Sequence, residues 1–109
     1  MEQNISNIDF SKSGGIVPVI VQDANTKEIL TLAYTNKESL ERTVSTGNSW
    51  FWSRSRKKLW MKGEESGNTQ KIKEILVDCD SDALIYLVEQ EGPACHTGER
   101  TCFNNSLKN

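Results

Sequence analysis

The stretch from Gly92 to Phe103 reads Gly-Pro-Ala-Cys-His-Thr-Gly-Glu-Arg-Thr-Cys-Phe and holds two of the three cysteines and the single histidine of the chain. The third thiol, Cys79, stands among carboxylates in Asp78-Cys79-Asp80-Ser81-Asp82. Soft ligands gathered in a short, polar, glycine-containing loop are poorly explained as core residues, so the two stretches are read together as one site. Structural zinc sites use four protein ligands, whereas catalytic ones use three and keep a position for water. Cys79, Cys95 and Cys102 offer three, with no Cys-x-x-Cys pair of the knuckle type. His96 would be a fourth, but its neighbour Cys95 makes convergence on one ion awkward, and it is read instead as a proton carrier beside the metal. A cysteine nucleophile with His96 as its base stays open for Cys79 or Cys102, since adjacent side chains on extended backbone diverge.

On an extended backbone Asp78, Asp80 and Asp82 point to one face and Cys79 to the other. Three carboxylates on one face repel unless a cation binds them, and oxygen-only ligands suit Mg²⁺ or Ca²⁺. The plainer alternative is a solvated, Asp-rich hairpin turn. An EF-hand loop is disfavoured because Ala83 occupies the position that needs Gly.

Between Trp50 and Trp60, aromatic residues flank the basic run Arg54-Ser-Arg-Lys-Lys58. Aromatic faces stack on bases and basic side chains bind phosphates. The formal charge of −2 supplies no global field for a polyanion, so a small phosphorylated ligand fits better than nucleic acid. A merely solvated strand face is the alternative.

These residues must be carried by a scaffold. Val17 to Gln22 is a β-branched run, Asp23 to Glu28 supplies turn residues, and Ile29 to Tyr34 reads as the returning strand of a hairpin. Thr35-Asn-Lys-Glu38 has capping-box spacing, and Leu40 and Val44 follow at i, i+4, which predicts a short helix from Asn36 to Ser45 closed by Gly47. Asn48 to Ser53 reads as a strand, Leu59-Trp60 starts another, and Lys62 to Asn68 is a polar loop. Gln70 to Val77 and Ala83 to Val88 are strand-like, with the acids at their junction; the uniformly apolar second run suggests a strand covered on both faces.

At 109 residues the chain suits one domain, 1–109, with 1–15 expected as a loose N-terminal arm. So small a domain, with 36% hydrophobic residues, leaves apolar surface to cover, which predicts an oligomer. No apolar run approaches the ~18 residues of a membrane span, and the first fifteen residues are too polar for a signal peptide. A cytoplasmic protein is expected, with no membrane or nucleic-acid partner. An odd number of cysteines there reads as thiols or metal ligands.

Taken in order, Trp52-Ser-Arg-Ser-Arg56, Leu59-Trp-x-Lys-Gly-Glu-x-Ser-Gly67, Asp78-Cys-Asp-x-Asp82, Gly92-x-x-Cys-His-x-Gly98 and Cys102-Phe103 resemble the phosphoribosyl-AMP cyclohydrolases of histidine biosynthesis, over about Val17 to Phe103. The resemblance implies hydrolysis of 1-(5-phosphoribosyl)-AMP at the N1–C6 bond by zinc-activated water. It implies Zn²⁺ on Cys79, Cys95 and Cys102, and Mg²⁺ on Asp78, Asp80 and Asp82. It further implies an intertwined homodimer with each zinc shared between chains, in an α+β fold that is mainly antiparallel β with one or two short helices. His96 is then the candidate catalytic proton carrier, and Arg54 and Arg56 the candidate phosphate ligands. Some relatives carry a histidine where Asn68 stands, so no second imidazole is expected here. Others carry a fused pyrophosphohydrolase, an activity expected to reside elsewhere. The competing class, a non-catalytic zinc protein binding a nucleotide or RNA, is separated by whether the adenine chromophore is lost on incubation with phosphoribosyl-AMP.

Overall fold

The computed structural model describes residues 4–108. Strands β1 (Val17–Asp23) and β2 (Ile29–Thr35) form the expected hairpin, and helix α1 (Lys37–Thr46) follows. Next come β3 (Trp50–Ser53), β4 (Lys58–Met61), β5 (Gln70–Val77) and β6 (Leu84–Gln90). Four strands build one sheet in the order β2-β1-β6-β5, and β3 and β4 form a separate two-stranded ribbon. The class is α+β, with one α-helix among the described residues. Pairing is antiparallel except between β1 and β6, which run parallel with Val19 beside Leu84, so the larger sheet is mixed.

Strand alternation sorts β1 cleanly. Val17, Val19 and Val21 are buried on the inner face, where they meet Leu84, Tyr86 and Val88 of β6 and Leu40 of α1. The β3–β4 ribbon joins this core through Phe51, whose ring packs 5.0 Å from Trp60 and 5.8 Å from Tyr86, centroid to centroid. The Trp50 N–H donates to Thr43 Oγ1 at 2.9 Å and fastens the ribbon to the helix.

The opposite face of the sheet is open. In register across all four strands stand Leu32, Ile20, Ile85 and Leu76. Leu32, Ile20 and Leu76 remain 48%, 37% and 40% exposed, an apolar row that a lone chain leaves in water. The expectation that β6 is covered on both faces therefore holds for its inner side and for Leu87 on the outer one, while Ile85 is only half-buried.

Two further expectations change. The helix is capped by Asn36, one residue later than the Thr35 box. Asn36 Oδ1 accepts from the Ser39 N–H and Ser39 Oγ accepts from the Asn36 N–H, both at 2.8 Å, while Thr35 ends β2 and is buried. Of the stretch read as a loose arm, residues 1–3 lie outside the described residues. Residues 5–10 are docked, with Ile5, Ile8 and Phe10 packed against the core and the Asp9 N–H donating to the Ser81 carbonyl at 2.7 Å, while residues 11–15 are exposed. Three apolar anchors in a polar segment are enough to hold it down.

Candidate functional site

The cysteine loop leaves the end of β6 under tight control. Buried Gln70 donates from Nε2 to Gln90 Oε1 at 2.7 Å, and Gln90 Nε2 donates to the Gly92 carbonyl at 2.8 Å. Gly92 faces Asn68 so closely that a Cβ there would overlap the Asn68 amide, which ties the Lys62–Asn68 loop to the cysteine loop. Ala94 is buried in the core, and the loop then folds on itself: the Ala94 N–H donates to Arg100 O, Cys95 N–H to Glu99 O and Gly98 N–H to Cys95 O. Its far end returns to β2, where the Cys102 N–H donates to Leu30 O at 2.8 Å and Thr101 Oγ1 to Ile29 O at 2.6 Å.

This fold-back returns Cys102 toward Cys95, close enough to bear on its thiol. Thr97 Oγ1 donates to Cys95 Sγ at 3.1 Å. That hydroxyl, then the Thr97 backbone N–H and Cys102, hold the Cys95 thiol below its ordinary value, toward the thiolate that metals bind. A pair of thiols so disposed fits two ligands of a soft cation. Cys79 is exposed on the β5–β6 turn and does not join them: among the described residues, the group of three or more metal-binding side chains with convergent ligand atoms is Asp78, Asp80 and Asp82. One chain thus assembles two of the three expected thiols.

The three carboxylates come within 4.8 Å of one another, but not by alternation on extended backbone. Residues 78–83 form a turn in which Asp78 Oδ1 accepts from the Asp82 N–H at 2.9 Å and the Ala83 N–H at 3.2 Å, with Ser81 at positive φ. Lys12 Nζ lies 3.2 Å from Asp80 and 3.1 Å from Asp82 and offsets their repulsion. Asp80 is lowered below the ordinary carboxyl value by hydrogen bonding with Asp82 and then Lys12, and Asp82 is raised chiefly by the same contact with Asp80. Oxygen ligands alone, bearing shared negative charge, fit a hard cation such as Mg²⁺.

His96 is exposed and lines a cleft of about 490 Å³ together with Arg56, Lys58, Trp60, Lys62 and Ser66. The β3–β4 turn, β4 itself and the loop after it bring these cationic and aromatic groups to one place. Arg54 diverges from Arg56: its guanidinium lies over the Tyr34 ring at 3.9 Å and does not line this cleft. The sequence marked Lys58 only as part of a basic run and Asp23 only as a turn residue, and it gave no role to Lys12, Thr97 or Arg100. Only the basic run signalled Lys58; the other four acquire meaning from contacts that no local spacing announces.

A cleft that sets one imidazole among three cationic side chains, beside a paired-thiol loop, is equipment for an enzyme of small phosphorylated molecules. Comparison with known proteins gives the family. A profile described as phosphoribosyl-AMP cyclohydrolase matches residues 31–104. The phosphoribosyl-AMP cyclohydrolase of Nitrosopumilus maritimus is 77% identical over 99% of this chain and 100% of its own length, and that of Clostridium botulinum (strain 657 / Type Ba4) is 54% identical over 98% and 97%. The histidine biosynthesis bifunctional protein HisIE of Thermus thermophilus is 58% identical over 95% of this chain, which spans 48% of that longer protein. The chain belongs to the phosphoribosyl-AMP cyclohydrolase family. No helix among the described residues is long and apolar enough to cross a membrane.

Proposed function

We propose that this chain hydrolyses 1-(5-phosphoribosyl)-AMP, opening the adenine ring between N1 and C6 in histidine biosynthesis, and does so in the cytoplasm as a homodimer using Zn²⁺ and Mg²⁺. The observation that carries the reading is the cleft in which His96 shares walls with Arg56, Lys58, Lys62 and Trp60. The substrate bears two phosphates and a purine. Arg56, Lys58 and Lys62 match one phosphate, Arg54 across the turn is left for the other, and the Trp60 indole offers a face for the base.

In the reaction one water adds across the N1–C6 bond. The oxygen joins C6, the C6–N1 bond breaks, and C6 keeps its exocyclic amine to become a carboxamide. The ring nitrogen N1 leaves as the amidine nitrogen and must gain a proton, which His96 delivers after taking it from the water. Zinc held by Cys79, Cys95 and Cys102 would bring the pKa of a water near neutrality, supplying the nucleophile. Asp78, Asp80 and Asp82 would hold Mg²⁺. The separation of Cys79 from the thiol pair supports completion of each zinc set by a second copy of the chain, and the open apolar row Leu32–Ile20–Ile85–Leu76 supports a self-complementary contact.

Incubation of the metal-loaded protein with phosphoribosyl-AMP, followed by loss of the adenine chromophore, tests the activity. His96→Ala should retain its zinc and lose ~10² to 10⁴ in turnover, the usual contribution of positioned acid–base catalysis. Loss of zinc in that variant would make His96 a ligand, and an unchanged chromophore with the parent protein would overturn the whole reading.

A further inference from the structure

Arg100 bridges two parts of the chain that are far apart in sequence. Its Nε donates to Glu28 Oε1 at 2.8 Å and its Nη2 to Asp23 Oδ2. Asp23 is not an ordinary surface partner, for its side chain is only 6% exposed. Its other oxygen, Oδ1, accepts from the Asn25 and Thr26 N–H groups at 2.8 and 2.9 Å and so shapes the β1–β2 turn. One carboxylate therefore organises the hairpin with one oxygen and reaches the cysteine loop with the other.

Past Gly92, and apart from the hydrogen bonds the loop makes with itself, few contacts tie it to the sheet. Between Ala94 and Phe103, Ala94 is the buried apolar residue, and Phe103 is 60% exposed. The remaining ties are the Cys102 N–H to Leu30 O and the Thr101 hydroxyl to Ile29 O, both beside Arg100 and both on the hairpin that Asp23 and Glu28 terminate. The Arg100 carbonyl in turn accepts from the Ala94 N–H and closes the loop that carries Cys95. An isolated surface ion pair would contribute little. Here a planar guanidinium spans two carboxylates, one of them buried, and its backbone closes the same loop.

We propose that Arg100 is a positioning residue: braced on Asp23 and Glu28, it holds the 94–102 loop in the conformation that sets the Cys95 and Cys102 thiols together. The consequence for metal affinity rests on the reading of these thiols as a ligand pair; the consequence for loop order does not. Groups that orient metal ligands from behind typically contribute 10- to 100-fold in affinity.

The test compares the parent with Arg100→Ala, Arg100→Lys and Asp23→Asn. The last keeps an oxygen for the Asn25 and Thr26 N–H groups and removes the charge that Arg100 faces. In the metal-free full chain, hydrogen exchange at the Cys95 and Cys102 amides should speed up about tenfold or more in Arg100→Ala and Asp23→Asn, with the β1 amides of Val19 and Val21 unchanged. In the same two variants zinc affinity, measured by competition with a chelator, should fall ~10- to 100-fold and the Co²⁺ absorption spectrum should change shape. Arg100→Lys, which keeps one charged contact, should recover part of both losses. Unchanged exchange at Cys102 in both variants overturns the proposal, as does acceleration spread equally over β1. A parent that binds no zinc through its thiols overturns the zinc reading instead, and the exchange result still decides the role of Arg100.

Discussion

Replacing Leu32 on the open face of the sheet should weaken self-association while sparing the fold. Leu32 is 48% exposed in the single chain. Full burial of a leucine side chain is worth about 1.5–3 kcal/mol, so covering its exposed half contributes about 0.7–1.5 kcal/mol. A two-fold interface contains the residue twice, which doubles the effect to about 1.5–3 kcal/mol, or about 10- to 100-fold in the dimer Kd for Leu32→Ala. Leu32→Glu should go further, because two carboxylates would be desolvated against Ile20, Ile85 and Leu76 of the facing copy. Within one chain the buried half of the side chain is lost as well, so by the same measure Leu32→Ala should cost the monomer about 0.7–1.5 kcal/mol, a small part of the stability of a folded domain. Sedimentation velocity over a concentration series reads the first quantity, and far-UV circular dichroism checks the second. Equal dimer affinity in parent and both variants, or a parent that stays monomeric at tens of micromolar, refutes the assignment of this face to a second copy.

Other perturbations reach the site itself. Cys79→Ala and Cys95→Ala should each be inactive alone, yet co-refolding them should give mixed dimers with one intact site, one zinc and about half the parental activity, taking the sites as independent; a verified mixed dimer with neither zinc nor activity excludes assembly across chains. Asp80→Asn should weaken the dependence of turnover on Mg²⁺ while zinc content stays at the parental level, and identical Mg²⁺ titrations in variant and parent would rule out a cation at the acids. The Asp23 carboxyl is held below its ordinary value by the Thr26 N–H first, with the Asn25 N–H and Arg100 adding to it. Its stabilising effect is therefore complete above the unfolded value of about 4 and is lost as pH falls through the lower folded value. Urea midpoints of Asp23→Asn should accordingly fall less than those of the parent below about pH 4, and parallel curves would contradict this.

Local periodicity made most of the scaffold legible. The runs at Val17 and Ile29 needed only β-branched composition and an intervening Asp/Asn/Thr turn, and both strands begin where the sequence placed them. The helix start moved by one residue because Asn36 and Ser39 exchange bonds as well as Thr35 and Glu38 would, and Thr35 is claimed by the strand. Pairing of β1 with β6 left no local trace, since a parallel partner is chosen by tertiary packing and not by a turn. The same limit applies at the site. Carboxylate convergence was anticipated but arises from a turn, while Lys12 and Arg100 are ordinary surface cations until the fold brings Asp80, Asp82, Asp23 and Glu28 to them.

The two central strands of the larger sheet, β1 and β6, are its first and last in the chain. During synthesis the β1–β2 hairpin emerges early, and Val17, Val19 and Val21 are only partly covered, by residues such as Leu40 and Phe51, until Leu84, Tyr86 and Val88 follow. Closure waits for β6, about sixty residues after β1, and such long-range pairing is slow compared with hairpin formation. The cysteine loop follows β6 directly and docks on β2, so its geometry exists only after that closure. Chains truncated before β6 are thus expected to expose an unpaired β1 edge and to be prone to aggregation rather than partly active.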